Sequence, residues 1–82
     1  MKKIKLTKLS DDYFNGNHPN GVNTGYEKIG FELNPPKLGE RYYVLANNKL
    51  DRYPFSTSIV TSLPDKNGVF KTTYSTYRVE YI

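Results

Sequence analysis

His18, the single histidine of the 82-residue chain, is the only side chain suited to general acid–base catalysis near neutral pH. It lies within Phe14–Tyr26, a stretch that also holds three of the six glycines and four asparagines. A hydrolase would also need a nucleophile and an orienting carboxylate, and no spacing places Ser58 or Asp11 beside the histidine. We therefore predict no catalytic residue and a non-enzymatic protein, with a small hydrolase using His18 as the alternative.

Metal and cofactor chemistry have little support in the residue types. One histidine, no cysteine and no Asp-x-Asp pattern followed by glutamate provide no recognisable ligand set for zinc or calcium. The chain also lacks the Gly-x-x-x-x-Gly-Lys loop that cradles phosphates at the start of a helix. The sequence therefore predicts no metal site and no cofactor.

The Asn/Gly-rich loop, residues 10–25, is a better candidate for binding a ligand than for catalysis. Backbone N–H groups and neutral amides can receive an anion, aromatic rings can stack on a planar group, and arginine can pair with a phosphate. Ordered loops on rigid scaffolds commonly carry function, whereas a self-packed structural loop is the alternative. The predicted ligand-binding residues are Asn17, His18, Asn20, Gly21, Asn23, Tyr26, Arg41 and Arg78.

The net charge of +4 is concentrated at the N terminus. Its source is four lysines, Lys2, Lys3, Lys5 and Lys8, because the eight basic residues after Leu9 balance eight acidic ones. A duplex-binding surface needs a basic face that makes several phosphate contacts. The basic N-terminal strand, residues 1–9, is equally well explained as a solvated edge strand protected by lysines.

Alternating apolar and polar residues, separated by turn residues, predict an all-β chain with a single domain over residues 1–82. The predicted strands are residues 3–9, 26–33, 40–45, 55–63, 69–73 and 78–82, and a single 3₁₀-like turn is predicted over residues 74–77. Five or six short strands are typical of small closed barrels. The hairpin, strand, short turn and final strand at the C terminus favour a Src-homology-3-like barrel, with an OB-like barrel as the second choice.

The strand patterns also predict which residues share a face. In the second strand Ile29, Phe31 and Leu33 share one face, opposite Lys28, Gly30 and Glu32. The odd positions from Phe55 to Leu63 are predicted to face one way along the fourth strand. The third strand, the densest apolar run, is predicted to be central and covered on both faces.

Two sets of motifs carry a resemblance to a known group of proteins. The first is His18-Pro19-Asn20-Gly21-Val22 followed by Gly25-Tyr26. The second is Thr57-Ser58-Ile59-Val60, then Phe70-Lys71-Thr72 and Ser75-Thr76-Tyr77-Arg78-Val79. Over most of residues 13–82 the chain resembles small, mostly uncharacterised proteins of bacteriophages and prophages. The resemblance implies a phage origin and a small β-barrel, and it carries neither a settled activity nor catalytic residues.

Together these observations predict a non-enzymatic, phage-encoded binding protein that acts on the host. It would be an anti-defence protein that sequesters a nucleotide signal or blocks a host defence protein. A nucleic-acid-binding small barrel and a phage structural or assembly component are the alternatives, and a homo-oligomer would suit so small a core. No long apolar run predicts a membrane span, and the expected location is the cytoplasm of the host bacterial cell.

Overall fold

Six antiparallel strands account for most of the chain that the computed structural model describes, residues 2–11, 24–45 and 54–82. The strands are β1 (Lys3–Asp11), β2 (Glu27–Glu32), β3 (Arg41–Leu45), β4 (Phe55–Ser62), β5 (Val69–Thr72) and β6 (Ser75–Tyr81). Each strand pairs with the next, and β6 returns to pair with β1, which closes the barrel. The described residues contain no helix, so the fold is an all-β closed barrel, consistent with the predicted small Src-homology-3-like barrel.

The core consists of side chains that point into this barrel from five of the six strands. They are Ile4, Leu6, Tyr42, Val44, Val60, Phe70, Tyr77 and Val79, all at most 5% exposed. Alternation places them there, because successive strand residues point to opposite faces and only one face of a closed barrel is shielded from water. Aromatic rings fill much of the space, with Phe70 between Tyr42 and Tyr77 at centroid distances of 5.4 and 5.8 Å.

The first strand is not the edge strand that its lysines suggested. It pairs with β2 on one side and β6 on the other, and it continues to Asp11, two residues beyond the predicted end. Closure of the barrel removes the edge that the lysines were expected to protect. Lys8 points inward and is only 2% exposed, so one of the four lysines behind the net charge does not contribute to the surface.

In β2 the apolar face lies on the outside of the barrel. Gly30 and Glu32 are buried, whereas Ile29 and Leu33 are 49% and 46% exposed. Gly30 faces β3 at such close range that a Cβ there would collide with the carbonyl oxygen of Leu45. At β2 the narrow interior of the barrel accommodates Gly30 and the hydrogen-bonded carboxylate of Glu32, and the larger apolar side chains of this strand lie outside.

The prediction that one face continues along β4 is wrong because a β-bulge interrupts it. Arg41 lies opposite Ile59 and Tyr43 lies opposite Ser56, so β4 has one extra residue in this interval. As a result Thr57 and Val60 are both buried, although they are three residues apart, and Ile59 is 39% exposed. A bulge leaves one residue unpaired and reverses the direction of the side chains that follow.

The connection between β5 and β6 is a tight hairpin rather than a 3₁₀-like turn. Phe70 pairs with Tyr77, and β6 begins at Ser75 instead of Arg78. The Thr72 hydroxyl accepts a hydrogen bond from the Ser75 N–H at 3.2 Å and lies 3.1 Å from the Ser75 carbonyl oxygen. The third strand lies between β2 and β4 as predicted, but its outward side chains Tyr43 and Leu45 are half-buried rather than covered.

Candidate functional site

The predicted ligand-binding residues divide between two parts of the chain. Asn17, His18, Asn20, Gly21 and Asn23 lie outside the described residues, as does most of the predicted loop, so their role stays a prediction. Three of the predicted residues are described, namely Tyr26, Arg41 and Arg78.

Tyr26 packs against the end of the aromatic core. Its ring centroid lies 5.4 Å from that of Phe55, which in turn lies 6.2 Å from Tyr77. The Tyr26 carbonyl oxygen also accepts a hydrogen bond from the Lys8 N–H at 2.9 Å. The half-buried ring therefore anchors the start of β2 to the barrel, and stacking on a ligand remains a prediction for its exposed part.

Arg41 and Arg78 lie on different sides of the barrel. Arg41 is on β3 and Arg78 is on β6, which are three strands apart in either direction around the closed sheet. Both residues are exposed and point outward, since Arg78 alternates with the buried Tyr77 and Val79, and Arg41 precedes the buried Tyr42. Arg78 lies opposite Thr7 and Val69, on the polar side formed by β1, β5 and β6.

The guanidinium of Arg41 is held in place by the bulge of β4. Its Nη1 donates a hydrogen bond to the carbonyl oxygen of Thr57 at 3.1 Å. The hydroxyl of Thr57 accepts from the Tyr42 N–H at 3.1 Å and donates to the carbonyl oxygen of Ser58 at 2.7 Å. Among the described residues, the other guanidinium N–H groups have no protein acceptor, so Arg41 is oriented and still able to bind an anion.

An open groove of about 670 Å³ lies beside this arginine, and we call it the Arg41 groove. It is lined by Leu33, Asn34, Pro35, Pro36, Lys37, Glu40, Arg41 and Tyr43. Pro35 and Pro36 form one wall because proline cannot continue the β2 ladder. Gly39, at a φ of 83°, turns the chain back, and its N–H donates to the Val60 carbonyl oxygen at 3.0 Å.

The charges around the groove favour an anionic ligand. Lys37 and Glu40 form an exposed ion pair at 3.4 Å, which contributes little to stability and leaves no net charge. Arg41 therefore supplies the net positive charge of the lining. The half-buried ring of Tyr43 and the two prolines offer flat apolar surfaces next to it, so the groove combines a charged donor group with a stacking surface.

A buried carboxylate clamp joins three strands inside the barrel, and sequence reasoning missed it. Oε2 of Glu32, on β2, accepts hydrogen bonds from the hydroxyls of Tyr42 at 2.9 Å and Tyr81 at 3.0 Å. Burial, reinforced by the Glu32 charge, raises the pKa of Tyr42 above its usual value and the pKa of Tyr81 to about 12. Alternation places Glu32 and Gly30 on one face of β2, but it does not reveal that this polar face, rather than the apolar one, is the inner face.

A second buried polar pair lies where β1 and β6 meet. Lys8 Nζ donates to Asp11 Oδ2 at 3.1 Å, and both side chains are nearly inaccessible. The β1 bulge between Lys8 and Ser10 allows both residues to point inward although they are three apart. Neither the carboxylate clamp nor the Lys8–Asp11 pair belongs to the predicted ligand site, and we assign both to the stability of the barrel.

Comparison of the chain with protein-family models found no matching family. Comparisons with curated proteins and with solved structures found no significant match. The resemblance to phage and prophage proteins therefore stays a prediction that depends on the motifs quoted above.

Two further features of the described part of the chain bear on candidate sites. No group of three or more His, Cys, Asp or Glu side chains within it is arranged to hold a metal ion. Residues 2–11, 24–45 and 54–82 also contain no helix that is long and apolar enough to cross a membrane.

Proposed function

We propose that this chain is a non-enzymatic binding protein that holds a nucleotide-like ligand in the Arg41 groove. The observation that carries the proposal is the guanidinium of Arg41, fixed by the Thr57 carbonyl at 3.1 Å beside an open groove of about 670 Å³. A groove of this volume suits a small organic ligand. The chemistry of its lining suits a ligand that carries both an anion and a planar ring.

The physical argument rests on pre-organisation. Guanidinium N–H groups match the oxygens of a phosphate in geometry and charge, and an arginine that is already oriented loses less conformational entropy on binding. Tyr43 offers an aromatic ring for a base to stack on, and Pro35 and Pro36 provide an apolar wall. The residues of the Asn/Gly-rich loop named above remain proposed contacts for the same ligand.

The phage resemblance supports a role directed at the bacterial host. A protein can act without catalysis by binding a signalling nucleotide and so withholding it from its receptor. A barrel of 82 residues with no assigned catalytic residue suits this kind of sequestration. In this proposal the protein works in the host cytoplasm as an anti-defence protein. Blocking a host defence protein is the alternative within the same class.

A titration with matched arginine variants tests the proposal. Purified protein is titrated by calorimetry with mononucleotides, linear and cyclic dinucleotides, and nucleosides that lack phosphate. We expect a phosphate-bearing member to bind and Arg41→Gln to weaken it by about 10- to 100-fold, because a hydrogen bond to a charged group contributes ~1.5–3 kcal/mol. Arg78→Gln removes the same charge from the opposite side of the barrel and should leave the affinity within about twofold.

Equal losses in the two variants, or no binding to any nucleotide, would contradict the assigned groove. Mass spectrometry of small molecules released from protein expressed in bacteria provides an independent measurement. A retained nucleotide that disappears in Arg41→Gln and persists in Arg78→Gln supports the proposal.

Nucleic acid is the second candidate ligand, favoured by the exposed Lys3, which shares the outward face of β1 with Thr7, the residue opposite Arg78. Two observations weaken it: Lys8 is buried, and Lys5 is paired with Glu27 at 3.1 Å. Binding to single- or double-stranded DNA should then fall steeply with added salt. Such binding, lost in Arg78→Gln and retained in Arg41→Gln, would favour this candidate over the nucleotide.

A further inference from the structure

A tight turn borders the Arg41 groove just before β3. It runs from Lys37 to Glu40, and the Glu40 N–H donates to the Lys37 carbonyl oxygen at 3.2 Å. Gly39 occupies the third position at a φ of 83°, as a type II turn requires. Two hydrogen bonds attach the turn to β4. The Gly39 N–H donates to the Val60 carbonyl oxygen at 3.0 Å, and the Val60 N–H donates to the Glu40 carbonyl oxygen at 2.9 Å.

The two ends of this turn carry opposite charges beside the same groove. Lys37 Nζ lies 3.4 Å from Glu40 Oε2, and both residues line the groove. Their side chains are 78% and 60% exposed, so water screens the ion pair and it contributes little to stability. A ligand that offers a partner to each charge can therefore replace the ion pair at little cost, while the bonded turn keeps the two residues near each other.

Arg41 and the Lys37–Glu40 pair occupy different places along the groove. The Arg41 guanidinium reaches across to β4, where it donates to the Thr57 carbonyl oxygen at 3.1 Å. The ion pair lies on the turn before β3, which is bonded to β4 at Val60 instead. One ligand can therefore place an anion at Arg41 and a neutral hydrogen-bonding edge at the turn.

Among the nucleic-acid bases, guanine has the hydrogen-bonding edge that fits this ion pair. Its Watson–Crick edge carries an acceptor, O6, followed by two adjacent donors, N1–H and N2–H. An ammonium group donates to O6, and the two oxygens of a carboxylate accept from both donors in a bidentate, charge-assisted arrangement. Adenine has one donor group and one acceptor on the same edge, so it leaves one carboxylate oxygen without a partner. Cytosine and uracil also lack two adjacent donors.

We propose that the Arg41 groove selects guanine nucleotides, with Glu40 and Lys37 as the residues that read the base. Lys37 donates to O6, and Glu40 accepts from N1–H and N2–H. Tyr43 and the two prolines of the groove offer flat surfaces to the ring. The inference deepens the proposed function and rests on it, because Arg41 holds the phosphate of the same ligand.

Calorimetric titration of the full chain with GMP, IMP and AMP tests the selectivity. The three nucleotides share one ribose phosphate and differ only at the base edge. IMP lacks the N2 amino group, and AMP lacks N1–H and O6 as well. We expect GMP to bind about tenfold or more tightly than AMP, with IMP between them, because IMP loses one hydrogen bond to Glu40 and AMP loses the bidentate arrangement. Cyclic dinucleotides of guanine and of adenine form a second matched set.

Three glutamine substitutions separate base reading from the rest of the site. Glu40→Gln replaces one acceptor oxygen by an amide NH₂ group at an exposed side chain, and it should lower the ratio of guanine to adenine affinity by about tenfold. Glu80→Gln makes the same change on β6, outside the groove, and should leave the ratio within about twofold. Arg41→Gln removes a phosphate contact, so it should weaken both nucleotides by the same factor.

The results separate this inference from the proposed function. Equal affinities for guanine and adenine nucleotides, both weakened by Arg41→Gln, overturn the selectivity and leave the proposed function standing. A guanine preference that Glu40→Gln leaves intact overturns the role of Glu40. Absence of binding to every nucleotide overturns the proposed function and the selectivity together. A guanine preference lost in Glu40→Gln and kept in Glu80→Gln and Arg41→Gln supports the inference.

Discussion

At the scale of single residues, buried polar groups with satisfied partners hold the interior together. Glu32 is 3% exposed and has no cationic partner in the contacts described. The hydroxyls of Tyr42 and Tyr81 therefore provide the hydrogen bonds that stabilise its buried carboxylate. No buried side-chain nitrogen or oxygen among the described residues lacks a hydrogen-bond partner. Removing one donor from such a clamp costs more than the bond itself, because the carboxylate stays buried.

Tyr42→Phe tests this clamp. The substitution keeps the ring against Phe70 and removes only the hydroxyl that donates to Glu32, so we expect the free energy of unfolding to fall by about 1.5–3 kcal/mol. Urea denaturation measures the change. Tyr43→Phe is the matched control, because the Tyr43 hydroxyl has no hydrogen bond among the described residues, and its cost should stay below ~0.5 kcal/mol. Equal losses in the two variants would show that the clamp is unimportant.

At the scale of the elements, bulges and one glycine decide how the strands fit together. The bulges in β1 and β4 allow Asp11 and Thr57 to face inward, and Thr57 in turn positions Arg41. Gly30 allows β2 to approach β3 so closely that their backbones are almost in contact. Since β2 and β3 share only a short ladder, this approach is important for closing the barrel at that point.

Gly30→Ala should be strongly destabilising. The new Cβ would meet the Leu45 carbonyl oxygen and the Val44 side chain, and moving a backbone carbonyl breaks the β2–β3 ladder. We expect a loss of about 1–3 kcal/mol, the usual cost of overpacking, measured by chemical denaturation.

Gly39→Ala is the comparison for this effect. Nothing lies within 4 Å of a Cβ there, so only the strain of its φ of 83° applies, which costs about 1–2 kcal/mol. Hydrogen exchange of β3 amides adds a local measurement. Gly30→Ala should speed exchange in β3, whereas Gly39→Ala should not. Unchanged stability in Gly30→Ala would contradict the close approach of the two strands.

At the scale of the whole molecule, closure of the sheet ties the two ends of the chain together. β1 pairs with β6 over most of its length, and the Tyr81 hydroxyl reaches Glu32, which is 49 residues away in sequence. The inside of the barrel is therefore aromatic, with a few paired polar groups. On the outside, Arg78 lies on β6 and the Arg41 groove lies beside β3, on different sides of the closed sheet.

The clamp also predicts how the molecule responds to alkaline pH. Burial and Glu32 raise the pKa of Tyr81 from 10.0 to about 12, and the pKa of Tyr42 is also raised. A raised pKa in the folded state means that the folded protein holds protons that the unfolded chain releases. This contribution is complete below pH ~10 and is lost as the pH rises through the folded pKa values, so stability should decline from pH ~10 upward.

Urea denaturation at a series of alkaline pH values measures this decline, with tyrosinate absorbance as a second readout. In Tyr81→Phe the decline should be shallower, because one of the tyrosines with a raised pKa is absent. A decline equally steep in Tyr81→Phe and wild type would contradict the assigned source of the pH dependence.

The sequence by itself predicted the strand content, the turns between the strands and the small-barrel class. These features depend on local properties. The two-residue period of β-strands, the prolines after β2 and the Asp65–Gly68 turn can all be recognised from residues that are close in sequence. In that turn Asp65 Oδ1 accepts hydrogen bonds from the N–H groups of Asn67 and Val69, as a turn-forming aspartate should. For the predicted ligand site, the sequence could suggest candidate residues but not their arrangement in space, since spacing does not reveal which strands become neighbours.

Only the tertiary structure decided which side of each strand is inside. Alternation in β2 distinguishes Ile29 and Leu33 from Gly30 and Glu32 but does not say which pair faces a narrow interior. The answer depends on the approach of β3 and on tyrosines from β3 and β6 that satisfy the carboxylate. The positions of Arg41 and Arg78 on different sides of the barrel likewise follow from closure, which brings β6 back to β1 and is not encoded in any local pattern.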